Sequence, residues 1–358
     1  MHMSAFDPKR TFAAPFRYSS FCRYDAPSLA LGARVKRREF IAFAGWAAAW
    51  PFLARAQEPG RTYRVGSLHQ SPRSAPHHVA FFQQLQRIGF VEGQNLLVDN
   101  EGYELHVQQL SEHAAKVTKI GTDVIVCGGD LAARAAQHAT KTIPILVITD
   151  DIFGSRLVTS LAKPEGNTTG ASILAAELDA KRQEILIEAI PGIRRMAALA
   201  DPNTTPPRQL QALQESALAR SVELLIYRAA KPDEIAGAIE TAKGAGAAAL
   251  NVLSTSLFFN NRRIIFERVT ALSLPTMYQW PENAEEGGLM GYGPRLSQIY
   301  KDIMARQLVK LLLGAKPAEI PVEQPTNFEL IINLKTARAL GLAVPHSLLS
   351  RADGLIDS

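Results

Sequence analysis

Small, amide, hydroxyl and carboxylate residues recur where the apolar runs of this chain end. After 63–68 come Ser67, His69 and Gln70; after 123–127 come Gly128, Gly129 and Asp130; after 145–149 come Thr149, Asp150 and Asp151. Later runs end in Asp201 and Asn203, Ser254 and Thr255, Tyr278 and Gln279, and Tyr292. If these runs are parallel strands, such residues sit at the carboxyl edge of a sheet, where open α/β sheets hold their ligands. Together they can hydrogen-bond and stack a small polar compound. Gly128 and Gly129 expose backbone N–H groups between a strand and a helix start, which suits a carboxylate or phosphate. Asp130 then reads either as the helix N-cap or as a charge facing a ligand. The pair Asp150 and Asp151 suits an ammonium or a turn opening, and Tyr278 with Trp280 suits an aromatic wall or simple packing.

Other chemistries lack their residues. The chain has no CxxC, HExxH, GxSxG or GxxxxGK, which removes the main support for zinc protease, serine hydrolase and P-loop readings. No cofactor or metal is implied. His77 and His78 diverge as neighbours on a helix and read as solvated. Cys127 ends an apolar strand and reads as a buried hydrophobe. Gly291-Tyr292-Gly293 reads as a turn.

The elements that must position these residues alternate regularly. Strand-like runs at 63–68, 96–100, 123–127, 145–149 and 169–173 are followed by a second series at 196–200, 222–228, 247–253, 275–278 and 288–292. Helical patterns at 77–88, 104–119, 131–140, 176–190, 207–220, 232–243, 260–272 and 295–313 separate them. This alternation predicts an α/β protein with parallel sheets covered on both faces. Two series of about five strands fit two doubly wound, Rossmann-like lobes better than one wide sheet. Crossings between lobes are expected at 163–170, near 284–288 and at 314–326, where Pro, Gly and Asn cluster. The expected N-terminal lobe is 57–166 plus 288–318. The expected C-terminal lobe is 167–287 plus 321–358, with 328–332 and 335–340 completing it.

The N-terminus reads as a targeting segment. Residues 1–56 form an extension in which 35–56 is the signal proper: Lys36-Arg37-Arg38, an apolar run from Ala42 to Leu53, then Ala54-Arg55-Ala56. A basic start, a short apolar core and a small-x-small site predict export with cleavage after Ala56. Arg37-Arg38-Glu39-Phe40-Ile41 is similar to the twin-arginine export motif, with Lys36 and Ala42 departing from it. The formal net charge of +5 lies in this segment, since residues 1–56 hold 9 basic and 3 acidic residues. The remainder has 30 basic and 31 acidic residues, which gives no support to a nucleic-acid partner. No cysteine follows the apolar run, so no lipid anchor is expected and the destination is the periplasm.

Several stretches resemble the ABC-transporter substrate-binding family that includes the tryptophan/tyrosine-type periplasmic binding proteins. They are Gly89 to Leu96 (GFVEGQNL), DVIVCGG at 123–129, Asn167-Thr168-Thr169-Gly170, and EEGGLMGYG at 285–293. The longest is IPVEQPTNFELIINLKTARALGL at 320–342. The resemblance implies a type I periplasmic-binding fold, with two lobes joined by a three-segment hinge and a small-molecule ligand trapped between them. It also implies a monomer that delivers its ligand, an amino acid or related compound, to an ABC permease in the inner membrane, without enzymatic activity. Asp130 replaces a small residue of the family pattern, and Asp151-Ile152-Phe153 replaces its Asp-Pro-Val. The extra acid points to a ligand with an amine or several hydroxyls. Two other functions remain compatible with the residues: an enzyme using His69 with Asp150 or Asp151 in the cleft, and a receptor that signals to a membrane sensor.

Overall fold

The computed structural model describes residues 60–357, so the export signal expected at 35–56 lies outside the described residues. The first sheet holds β1 (Tyr63–Leu68), β2 (Leu96–Val98), β3 (Val124–Gly128), β4 (Ile145–Thr149) and β5 (Thr168–Ser172). Their order is β2-β1-β3-β4-β5 and every pairing is parallel. Val124 to Cys127 and Ile145 to Val147 are all buried, because helices cover both faces of the central strands. The helix Pro76–Arg87 starts on a proline, whose missing N–H is not needed at that position, and buries Phe81 and Leu85. The helix Asp130–Ala139 packs with a face of alanines, which lets it lie close to the sheet.

The second sheet holds β6 (Arg195–Ala200), β7 (Glu223–Arg228), β8 (Leu250–Val252), β9 (Thr276–Tyr278), β10 (Met290–Gly293), β11 (Glu329–Asn333) and β12 (Gly354–Ile356). Their order is β12-β11-β10-β9-β8-β6-β7. Only β10 and β11 pair antiparallel, since β11 arrives from the other lobe and not through a crossover helix on its own. Gly291-Tyr292-Gly293, expected as a turn, is therefore strand.

The chain passes between lobes three times; the first two passages fall later than expected, and the third overlaps the end of its expected segment. The segment 163–167 turns into β5, which closes the edge of the first sheet, so the first crossing follows at Ile173 and Leu174. Leu174 has a left-handed backbone (φ 58°) there. The strand at 290–293 stays in the second sheet, and the second crossing falls at 294–295. The third falls at 323–328, because Ile320 and Val322 are still packed into the first lobe. The first lobe is thus 63–172 with 296–322, and the second is 175–293 with 329–356. Proline and glycine mark a turn without revealing which sheet the next strand will join. The third passage starts alongside β5: the Ser172 N–H donates to the Glu323 carbonyl at 2.9 Å, and the Glu323 N–H to the Gly170 carbonyl at 2.9 Å.

Candidate functional site

Between the lobes lies a cavity of about 510 Å³, part of it open to solvent. The first lobe supplies His69, Gln70 and Ser71 beyond β1, Gly128 and Gly129 at the end of β3, and Thr149 and Asp150 at the end of β4. The second lobe supplies Thr255, Ser256, Phe259 and Asn260 beyond β8, with Gln279 and Trp280 beyond β9. Tyr300 enters from the helix that returns to the first lobe. It opens a π-helical turn, Tyr300–Met304, between the helices Leu296–Ile299 and Ala305–Leu312. Such single π turns shift the facing of a helix and recur at functional sites.

Rings make one wall. His77 lies 4.8 Å from Tyr300 and 5.8 Å from Phe259, and Phe259 lies 6.1 Å from Trp280. Two buried polar atoms of lining residues, Thr149 Oγ1 and Trp280 Nε1, have no hydrogen-bond partner within the protein. Unpaired buried groups are costly, so both are suited to a solute's polar atoms. Gln279 is already engaged, accepting from the Thr255 N–H at 3.0 Å, which fixes the β8 and β9 ends to one another.

The lobes touch at the site. Ser254 Oγ donates to Asp150 Oδ1 at 2.7 Å across the cleft. Burial pushes the Asp150 carboxyl up to about 8, and the charge of Asp130 adds to the effect. Gly129 (φ 89°) approaches Ser256 so closely that an added Cβ would lie 2.3 Å from its Oγ. His69 is held well below its ordinary value by burial, with smaller contributions from His78 and His77. Burial likewise takes His78 down to about 4, so these imidazoles are neutral at neutral pH. His69 stacks on Tyr103 at 5.2 Å, and His78 Nδ1 donates to the Pro72 carbonyl at 2.9 Å. His77 and His78, expected to be solvated, are buried because their helix turns that face toward β1 and Tyr300.

Beneath the site lies a buried ion pair. Arg182 Nη1 donates to Asp179 Oδ1 at 2.7 Å, Nε to the Tyr292 carbonyl and Nη2 to the Gln279 carbonyl, both at 2.7 Å. Asp179 also accepts from the Ser254 N–H at 3.3 Å and from Gln209 at 2.8 Å. One guanidinium and one carboxylate thus tie together the ends of β8, β9 and β10. Neither residue was singled out by the sequence, because an Asp and an Arg at i, i+3 are common on exposed helix faces.

Of the residues picked from the sequence, His69, Gln70, Gly128, Gly129, Thr149, Asp150, Thr255, Gln279 and Trp280 meet around the cavity. Asp130, Asp151, Asn203 and Ser254 line a wider outer cleft, and Asp201 lines a second one with Asp130 and Asn203. Asp130 does not cap its helix, since Gly129 holds the N-cap position and the Asp130 carboxylate accepts from Ser155 Oγ. Asp151 accepts from the Gly154 N–H at 2.8 Å, the turn-opening role. Three residues point elsewhere. Ser67 lies buried against Tyr103, to whose hydroxyl it donates at 3.4 Å. Tyr278 packs on Phe266 in the core of the second lobe, and Tyr292 lies against Phe328. The last residues of a strand alternate in facing, so half of any strand-end list must point into a helix layer. Asp150 bonds to Ser254 and Asp151 to Gly154, so neither is held by His69 as a catalytic pair would require.

A family model described as ABC transporter substrate binding protein matches residues 77–356. The chain belongs to that family. A tyrosine-binding protein of Clostridioides difficile is 24% identical over 282 residues, covering 78% of this chain and 80% of the relative. Among solved structures, a conserved domain protein of Vibrio cholerae shares 22% identity with a TM-score of 0.74, over 83% of this chain and 99% of that one. An ABC domain of Streptococcus pneumoniae solved in complex with L-Trp shares 22% identity with a TM-score of 0.73, over 82% of this chain and all of that one. This substrate-binding protein therefore has the type I periplasmic-binding fold, and its role is to bind a solute. Cavity residues that the sequence reading passed over, such as Phe259, Asn260 and Tyr300, lie one turn or more inside helices, where the strand-end rule does not look.

Proposed function

We propose that this substrate-binding protein is exported to the periplasm, loses residues 1–56 and works as a monomer. There it captures an amino acid or a related compound and delivers it to an inner-membrane ABC permease. The basic start, apolar core and Ala54-Arg55-Ala56 support export. Among the described residues no helix is long and apolar enough to cross a membrane. The observation that carries the reading is a cavity walled by both lobes in which Thr149 Oγ1 and Trp280 Nε1 are buried without partners. In this reading Asp150 faces an amine, whereas the Gly129 N–H, expected to meet a carboxylate, is already donated to the Ile148 carbonyl at 2.8 Å because the β3–β4 ladder runs on to that residue. Trp280, Phe259 and Tyr300 cover the apolar part. A receptor returns its ligand unchanged, which separates this reading from an enzyme in the same cleft.

Thermal shift and calorimetry against the protein amino acids, together with native mass spectrometry of the purified protein, test it. At least one amino acid, or a copurified small molecule, is expected to stabilise the protein. Trp280→Ala and Thr149→Val are each expected to weaken its binding tenfold or more. Absence of both a stabilising amino acid and a copurified compound would overturn the reading.

A further inference from the structure

Asp150 lines the ring-walled cavity and also an outer cleft of about 1490 Å³, open to solvent and likewise walled by both lobes. The first lobe contributes Asp130, Asp151 and Arg134 to this cleft, and the second contributes Glu177, Arg208 and Ser254. Asp130 is 9% exposed, its Oδ2 accepts from Ser155, and its Oδ1 is buried with no hydrogen-bond partner. Arg134 opposes the acidic charge, yet its guanidinium donates to the Ser155 carbonyl at 2.5 Å. A buried carboxylate oxygen with no donor inside the protein is costly unless another molecule supplies one.

We propose that the outer cleft is a cation subsite, in which Asp130, backed by Asp150, Asp151 and Glu177, receives an ammonium or guanidinium group of the captured solute. This rests on the solute-receptor reading and names the class of solute: an amine or basic amino acid whose apolar part lies in the ring-walled cavity and whose charged end reaches Asp130. A cation there makes short, charge-assisted hydrogen bonds to a carboxylate that is itself largely buried. Burial holds the Asp130 carboxyl up at about 6 and that of Asp150 at about 8. An arriving cation favours the ionised forms, so binding releases protons and strengthens as pH rises from 5 to 8.

The test uses the purified protein and isothermal calorimetry at pH 8 with L-lysine, agmatine and 1,4-diaminobutane. L-norleucine serves as the neutral counterpart of lysine, and L-tyrosine and L-tryptophan test the receptor reading alone. At least one cationic probe is expected to bind tenfold or more tighter than norleucine. Asp130→Asn, which keeps the Ser155 contact, is expected to weaken that probe tenfold or more. Glu177→Gln, at an exposed position that leaves folding undisturbed, is expected to weaken it two- to threefold. Norleucine binding as tightly as the best cationic probe, or a cation affinity untouched by Asp130→Asn, would overturn the subsite. Binding of tyrosine or tryptophan but of no cation would remove the subsite and leave the receptor reading standing. Binding of no probe would count against both.

Discussion

Asp150 shows how much a single buried carboxyl can set. The folded protein holds its proton up to about pH 8, against an ordinary value of 3.8, because burial and the facing charges of Asp130 and Asp179 outweigh Arg182 and the Ser254 hydrogen bond. A carboxyl with a raised folded value stabilises most below its unfolded value, and that stability is lost as pH rises toward the folded one. Asp150→Asn keeps an acceptor for Ser254 and cannot ionise. Its melting temperature relative to the parent is therefore expected to climb between about pH 4 and about pH 8 and then level off. The slope is at most about 1.4 kcal/mol per pH unit. A pH-independent difference in thermal denaturation would show that Asp150 is ionised in the fold. The carboxylate itself was legible in the sequence because it follows a fully apolar strand. Its burial was not, since that depends on Ser254, 104 residues away, closing over it.

At the scale of elements, alternating apolar runs revealed the strands of both sheets and the helices between them, and with them the parallel architecture. What escaped were short pieces whose stability comes from neighbours. β12 (Gly354–Ile356) is three residues long with Leu355 exposed, and it exists because β11 offers it an edge. The helix Ala175–Ala189 looked like an ordinary crossover helix, yet it carries the Asp179–Arg182 pair on which the second lobe's cavity edge is hung. Removing one member of a buried pair leaves the other uncompensated, whereas removing both costs far less. Arg182→Met is expected to destabilise the protein by about 3–5 kcal/mol in urea denaturation. The double variant Arg182→Met with Asp179→Leu is expected to recover a large part of that loss. Equal losses in the single and double variants would mean that the guanidinium acts through its carbonyl contacts at Tyr292 and Gln279, not through the charge pair.

At the scale of the two lobes, their approach makes the site, and one of the places where they come closest is Gly129. Gly129 meets Ser256 where neither residue could be read as a contact from the sequence, since they belong to different sheets. A side chain at 129 faces two separate penalties: a left-handed backbone at φ 89°, and a clash with the opposite lobe. Gly129→Ala alone combines both. Adding Ser256→Ala removes the Oγ at 2.3 Å and leaves the nearest Ser256 atom at 3.3 Å, while the backbone penalty is unchanged. With Ser256→Ala as the reference for any direct loss of the hydroxyl, the comparison isolates closure. Gly129→Ala is expected to weaken solute binding about tenfold or more. It is also expected to leave the ligand-bound protein with a larger radius of gyration by small-angle X-ray scattering. The double variant should regain most of both, because the lobes can then meet. If the second substitution restores neither, the loss belongs to the backbone at 129 and the lobes do not close on this contact. A solute that binds the single variant normally would move the point of closure to the Ser254–Asp150 hydrogen bond.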